Sequence, residues 1–265
     1  MSEQEEQLTG GNTAESVVRL GSTVRKPVTS STPAVHSLLA YLQAVGFEAS
    51  PAALGIDEQG RQVLEFVQGS LWSSVGTHTQ TDFRRVGTII RTLHDAAASF
   101  QMPEEAQWNV RYEPDERDLI CHNDLAPWNL VCGADRWVFI DWDAAAPATR
   151  LWDLAWASIA FPPFEPQCEL PRAATAMHAL LDGYRLQRSS YGKLIKLMVK
   201  RARAEHDFIV EGAQKGQEPW ARLYVEEHHR YWGPVSDYID QNASALEELL
   251  ASLKGSLHQT SKIER

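Results

Sequence analysis

Long apolar runs, an excess of basic residues and paired cysteines are all missing from this 265-residue chain. A membrane-spanning helix needs roughly 20 consecutive apolar residues, and no stretch comes near that, so no membrane partner is expected. Lysine and arginine total 25 against 35 acids, a formal net charge of −10. Binding nucleic acid takes a basic face to neutralise phosphates, so this balance argues against DNA or RNA as a partner. The three cysteines, Cys121, Cys132 and Cys168, are odd in number and lack metal-type spacing. Reduced thiols in a cytoplasmic setting are the expectation. The opening "MSEQEEQLTGG" is acidic and polar, unlike a secretory leader. What remains is ordinary: 43% apolar and 23% charged residues, enough chain for a sizeable core. The oligomeric state is left open.

The first quarter has strand character. "ESVVRLG" and "STVRKPV" carry β-branched residues on either side of a Gly21-Ser22 turn signal. "STPAVHSLLAYLQAVG" then predicts a helix with Thr32 as N-cap and Pro33 in its first turn. Its apolar face is Val35, Leu38, Leu39, Leu42 and Val45, and Gly46 ends it. "AALGIDEQGRQVLEFVQG" reads as a hairpin turning at Asp57 to Gly60. After Gly69 the period becomes helical: Phe83, Val86, Ile89, Ile90, Leu93 and Ala97 line one face of a helix from about residue 81 to 99. From about residue 171 onward the pattern is nearly all helical, and residues 1–9 and 255–265 read as loose ends. Segregated strands and helices predict an α+β fold in two lobes, residues 1–69 and 70–265, with a ligand cleft between them.

Two short stretches carry the chemistry, "CHNDLAPWNLV" at 121–131 and "VFIDWD" at 138–143. Asp124 and Asn129 in a tight loop, with Asp141 at the end of an apolar strand, supply oxygen donors of the kind Mg2+ takes. If Asp124 stays off the metal, it is free to orient an attacking hydroxyl and accept its proton. Pro127 and Trp128 stiffen the loop, and positioning is most of what phosphoryl transfer asks of a protein. The spacing His-x-Asp-x-x-x-x-Asn, then a strand and Asp141, is that of a kinase catalytic loop. Taken alone, the Asp and Asn could form a self-bonded turn; Asp141 and Asp153 in register favour the kinase reading. His94 reads as a core residue, and "EEHHRYW" at 226–232 as a solvated helix face.

Together, "CHNDLAPWNLV" and "VFIDWDAAAPATRLWDLA" resemble the aminoglycoside phosphotransferase and choline kinase-like family, whose members are small-molecule kinases with a bilobal protein-kinase-like fold. The resemblance implies a small β-rich lobe with one helix and a larger, mainly helical lobe. It implies Asp124 as catalytic base, His122 as the brace of the loop, and Asn129 and Asp141 as holders of Mg2+ beside ATP or GTP. In "TVRKP" either Arg25 or Lys26 would hold the nucleotide phosphates. "EFVQG" resembles the hinge that reads the base, which points to Glu65 and Val67, and "GGNTAES" would cover the phosphates. Asp153 reads as a helix cap or a loop brace, and Asp143 and Trp128 as substrate-facing candidates. Three departures stand out: "PAVHSLLAYL" has His36 and no glutamate to pair with the phosphate-holding base, the glycine loop is short, and position 126 is alanine.

The resemblance implies a small-molecule hydroxyl as acceptor, an aminoglycoside-type antibiotic among the candidates. Asp143, Glu165, Glu169, Asp207, Glu211, Glu226 and Glu227 would supply acids for a polycation, whereas "LWDLAWASIAFPPFEP" offers an apolar or cation-stacking wall. A nucleotide-binding regulatory protein of the same fold with little turnover is the alternative.

Overall fold

The computed structural model describes residues 4–8, 17–165 and 167–254. A five-stranded antiparallel sheet forms one end of the molecule. Its strands are β1 (Glu6–Gln7), β2 (Val18–Leu20), β3 (Thr23–Pro27), β4 (Ala53–Ile56) and β5 (Arg61–Glu65), in the order β1-β2-β3-β5-β4, with helix α1 (Thr32–Ala44) between β3 and β4. Both predicted hairpins are present, because β-branched strands and Gly21 and Gly60 at positive φ favour tight turns. Two local expectations shift. Glu6–Gln7, predicted as a loose end, pairs with β2; its exposed polar side chains leave no apolar signal to read. Thr32 is the first helical residue and Ser31 the cap position, and Thr32 Oγ1 instead accepts the Thr29 N–H at 2.9 Å. The stretch "GGNTAES" and residues 255–265 lie outside the described residues.

The remainder is mainly helical, threaded by short ladders. The elements run β6 (Ser70–Leu71), α2 (Gln80–Ala97), β7 (Leu119–Cys121), β8 (Leu130–Cys132), β9 (Trp137–Phe139), β10 (Ala146–Ala148), α3 (Arg150–Ala160), α4 (Leu170–Tyr184), α5 (Tyr191–Gln214), α6 (Trp220–Val225), α7 (His229–Gln241) and α8 (Ala243–Ser252). β6, β8 and β9 form one small antiparallel sheet, and β7 pairs with β10. The fold class is α+β, as the segregation of periods implied.

Helix α2 starts at a reciprocal capping box between Thr79 and Asp82 and buries Phe83, Val86, Ile90, Leu93 and Ala97. It crosses α4 with almost no gap. A Cβ on Gly87 would sit 1.9 Å from the Leu180 carbonyl oxygen, and one on Gly183 would sit 1.9 Å from that of Arg84. Only glycine at both points permits this approach. One large apolar core runs from α1 through α2, α3 and α4 to α8, so the segments bearing β7, β8 and β9 rest on packed helices. No helix among the described residues is long and apolar enough to cross a membrane.

Candidate active site

β7 delivers the chain to His122 and Asn123, and α3 catches it there. Asp153, fully buried in the first turn of α3, accepts the His122 N–H at 3.1 Å and the Asn123 N–H at 2.8 Å. His94 Nε2 from α2 lies 3.1 Å from the same carboxyl group, and its Nδ1 faces the Tyr184 hydroxyl at 2.8 Å. Asn123 is left-handed at φ 62°, a conformation asparagine tolerates, and its side-chain amide donates to the carbonyls of Ala144 and Ala146. His94, expected as a plain core residue, is buried but serves as one of these polar braces. The helix cap itself is Thr149, so Asp153 takes the bracing role.

His122 ties the loop to the strand beyond it. Its Nδ1 accepts the Asp124 N–H at 3.2 Å, so the proton resides on Nε2, which donates to the Ile140 carbonyl at 3.1 Å. Burial pushes the imidazole pKa down and keeps it neutral in that role. Asn129 closes the other side of the loop. Its amide NH2 donates to the Asp124 carbonyl at 3.0 Å, which turns the amide oxygen toward the cleft, and its own carbonyl accepts the Ile140 N–H at 2.8 Å.

Asp124 is held but not consumed. One carboxyl oxygen accepts Trp156 Nε1–H at 3.1 Å, and the other lies 3.8 Å from Arg111 Nη1. Burial raises its pKa to about 6, Arg111 pulls against that rise, and Asp141 and Glu205 add to it. A carboxyl group poised near neutrality suits proton abstraction.

Asp141 follows β9 in a left-handed conformation, φ 60° and ψ 70°, unusual for a residue with a side chain. Lys26 from β3 reaches across to it at 3.1 Å and to Asp143 at 2.8 Å. Burial works against the Lys26 ammonium, but the two carboxylates raise its pKa above the ordinary value. Burial likewise disfavours ionised Asp141, and Lys26 and Arg111 outweigh it, so its pKa is lowered. Of the two basic candidates, only Lys26 faces the cleft. Arg25 projects from the opposite face of the strand, its Nε 3.3 Å from Asp57, as period-two alternation requires. The expected ion-pair partner on α1 is absent, and Asp141 and Asp143 take its place beside Lys26.

One cleft of about 1360 Å3 is lined by Lys26, Glu65, Val67, Asp124, Trp128, Asn129, Asp141 and Asp143. The Glu65 side chain is committed elsewhere, accepting the Ala52 N–H at 3.1 Å and pairing with Arg136. Its place at the cleft therefore comes from its position on the chain, while Val67 lies just past the end of β5. Arg111, Glu205 and Trp220 also line this cleft without having been singled out from the sequence, as do Trp156, from the aromatic stretch offered as a wall, and Trp232, from the stretch read as a solvated face. His228, from that same stretch, joins them. Arg111 sits in a coil with no periodicity, and Glu205 on a charged helix face, so neither had a spacing signal. The acids from Glu165 to Glu227 considered for a polycationic acceptor do not line the cleft.

One cleft brings together the carboxyl groups of Asp124 and Asp141, the Asn129 amide and the cross-sheet Lys26, with buried His122 tying their loop to the next strand. The chain belongs to the phosphotransferase enzyme family, whose model matches residues 101–188, and its activity class is that of a small-molecule kinase. It is 32% identical over 206 residues to the trifolitoxin immunity protein of Rhizobium leguminosarum bv. trifolii, covering 72% of this chain and 78% of that one. Its bilobal, protein-kinase-like fold matches a microcompartment-associated aminopropanol kinase with a TM-score of 0.64 at 15% identity, over 92% of this chain and 94% of the other. An amicoumacin kinase in complex with AMP-PNP, Ca2+ and Ami aligns with a TM-score of 0.61 at 12% identity, over 88% of each chain.

Proposed function

We propose that the protein transfers the γ-phosphoryl group of ATP or GTP to a hydroxyl of a small molecule, with Asp124 as base. The observation that carries this reading is one cleft in which the largely buried Asp124 carboxyl group, its pKa raised toward neutrality, stands with Asn129, Asp141 and Lys26. Asp124 takes the proton of the acceptor hydroxyl as its oxygen forms the new bond to phosphorus. The bridging P–O bond breaks, and its electron pair leaves with the nucleoside diphosphate. Lys26 binds phosphate oxygens, and Val67 and the backbone at Glu65 border the nucleotide base, with the lobes divided after Gly69. The donor set fits Mg2+: an amide oxygen whose NH2 is committed elsewhere, and a carboxylate whose pKa is lowered. When bound, that ion neutralises phosphate charge. The immunity protein's name makes a toxin or antibiotic-type acceptor a reasonable first class to try.

The test is ADP and GDP release with Mg2+ across aminoglycosides, amino alcohols, hydroxy acids and hydroxylated peptides, with Asp124→Ala as the blank. Release stimulated by one class supports the proposal. Nucleotide binding with no stimulated release anywhere, and no difference from the blank, would favour the regulatory alternative.

A further inference from the structure

We infer that the acceptor carries an anionic group, of carboxylate type, near its reacting hydroxyl on an apolar or aromatic body, and that Arg111 binds that group. This rests on the kinase reading above. The argument is one of unspent charge. Around the cleft, Lys26 is matched by Asp141 and Asp143. Glu205 is matched as well: it accepts the Tyr112 hydroxyl and Arg201 Nη1 at 3.2 Å. Arg111 is different. Its side chain is only 19% exposed, yet among the described residues its guanidinium donates no hydrogen bond to the protein. At 3.8 Å its approach to Asp124 is an ion pair beyond hydrogen-bond reach, so the planar fork of N–H groups stays open to a ligand.

A planar anion there would gain charge-assisted, bidentate bonds. A polycation would meet a fixed positive charge beside the base and, of the late-helix acids, only Glu205, which is already matched. The guanidinium stands over the Trp220 ring, 5.7 Å from its centroid, which places it on the side of the cleft made by α6. The sheet side already has Lys26 for phosphates. Much of the cleft wall is aromatic, with Trp128 and Tyr231 left 40% and 42% exposed. Such rings cover an apolar body.

Three matched probes separate the possibilities: 3-phenyllactate (anionic), 3-phenylpropan-1-ol (neutral) and phenylalaninol (cationic). Each is titrated against the full chain by tryptophan fluorescence, with and without Mg·ADP. Phenyllactate is expected to bind about tenfold or more tighter than the neutral alcohol, with phenylalaninol weakest. Arg111→Gln should abolish the preference, and Arg111→Lys should keep part of it. Equal affinities, no binding of any probe, tightest binding of phenylalaninol, or a preference that survives Arg111→Gln would overturn the inference. So would an Arg111→Gln variant that loses Mg·ADP affinity while keeping the probe order, because Arg111 would then serve phosphate. The kinase reading is judged separately, by nucleotide-diphosphate release with Mg2+ that Asp124→Ala abolishes.

Discussion

Asp124→Asn separates what the site costs from what it does. The substitution keeps the shape of the side chain and an oxygen to accept the Trp156 N–H. It removes the charge whose burial raises the pKa to about 6. An unfolded aspartate titrates near 4, so the folded state binds the proton more tightly, and ionising Asp124 in place is unfavourable. The contribution of this group to stability is complete below pH 4 and is lost as pH rises through 6. At about 1.4 kcal/mol per pH unit, the ionised folded protein stands about 3 kcal/mol below its protonated counterpart. The side chain retains 17% exposure, so solvent screening reduces this to about 1–3 kcal/mol. Asp124→Asn should therefore be more stable than the parent at pH 8, by urea unfolding with matched m-values, and the gap should close as pH falls from 6 toward 4. Turnover of the same variant should fall by about 100-fold or more with Mg·nucleotide affinity little changed. In the parent, turnover should drop on the acid side of about pH 6. A variant less stable than the parent at pH 8, or a gap that ignores pH, would refute the assignment of Asp124 as a base whose ionised form its partial burial disfavours.

Lys26→Met should weaken Mg·ADP binding about 10- to 100-fold by calorimetry, while Arg25→Ala should leave it nearly unchanged; equal losses would undo the assignment of faces on β3. Asp153→Ala should destabilise the protein by about 3 kcal/mol or more in urea, since two backbone N–H groups and the His94 imidazole lose their buried acceptor. Gly87→Ala should cost at least about 2 kcal/mol, because its methyl meets the Leu180 carbonyl at 1.9 Å with backbone on both sides; a neutral change in melting temperature would show that α2 and α4 can part there.

The residues that could be read from sequence are those whose relations are local. His122, Asp124 and Asn129 share one loop, and their spacing is a direct image of its geometry. Helices α1 and α2 announced themselves through apolar residues at helical period, and the two hairpins through turn chemistry between β-branched runs. The choice between Arg25 and Lys26 was not local: it depends on which face of β3 meets the cleft, and that is set by pairing with β5 and packing across to Asp141. Arg111, Trp156 and Glu205 reach Asp124 from a coil, α3 and α5, so only tertiary folding makes them neighbours. Asp153 lay between: its register was visible, but its choice of loop bracing over helix capping depended on Thr149 taking the cap.

The Lys26 contact also bears on motion. Lys26 belongs to the five-stranded sheet, and its two carboxylate partners belong to the turn after β9. Swinging the sheet away from the helices in the absence of ligand would therefore pull a buried ammonium off both acids at once, a movement opposed by desolvated charge. A polyphosphate that captured the ammonium would release the acids without that separation. Ligand entry would thus exchange a latch between the two parts of the molecule for a bridge made of the ligand, and the empty cleft would breathe less than its chemistry alone suggests.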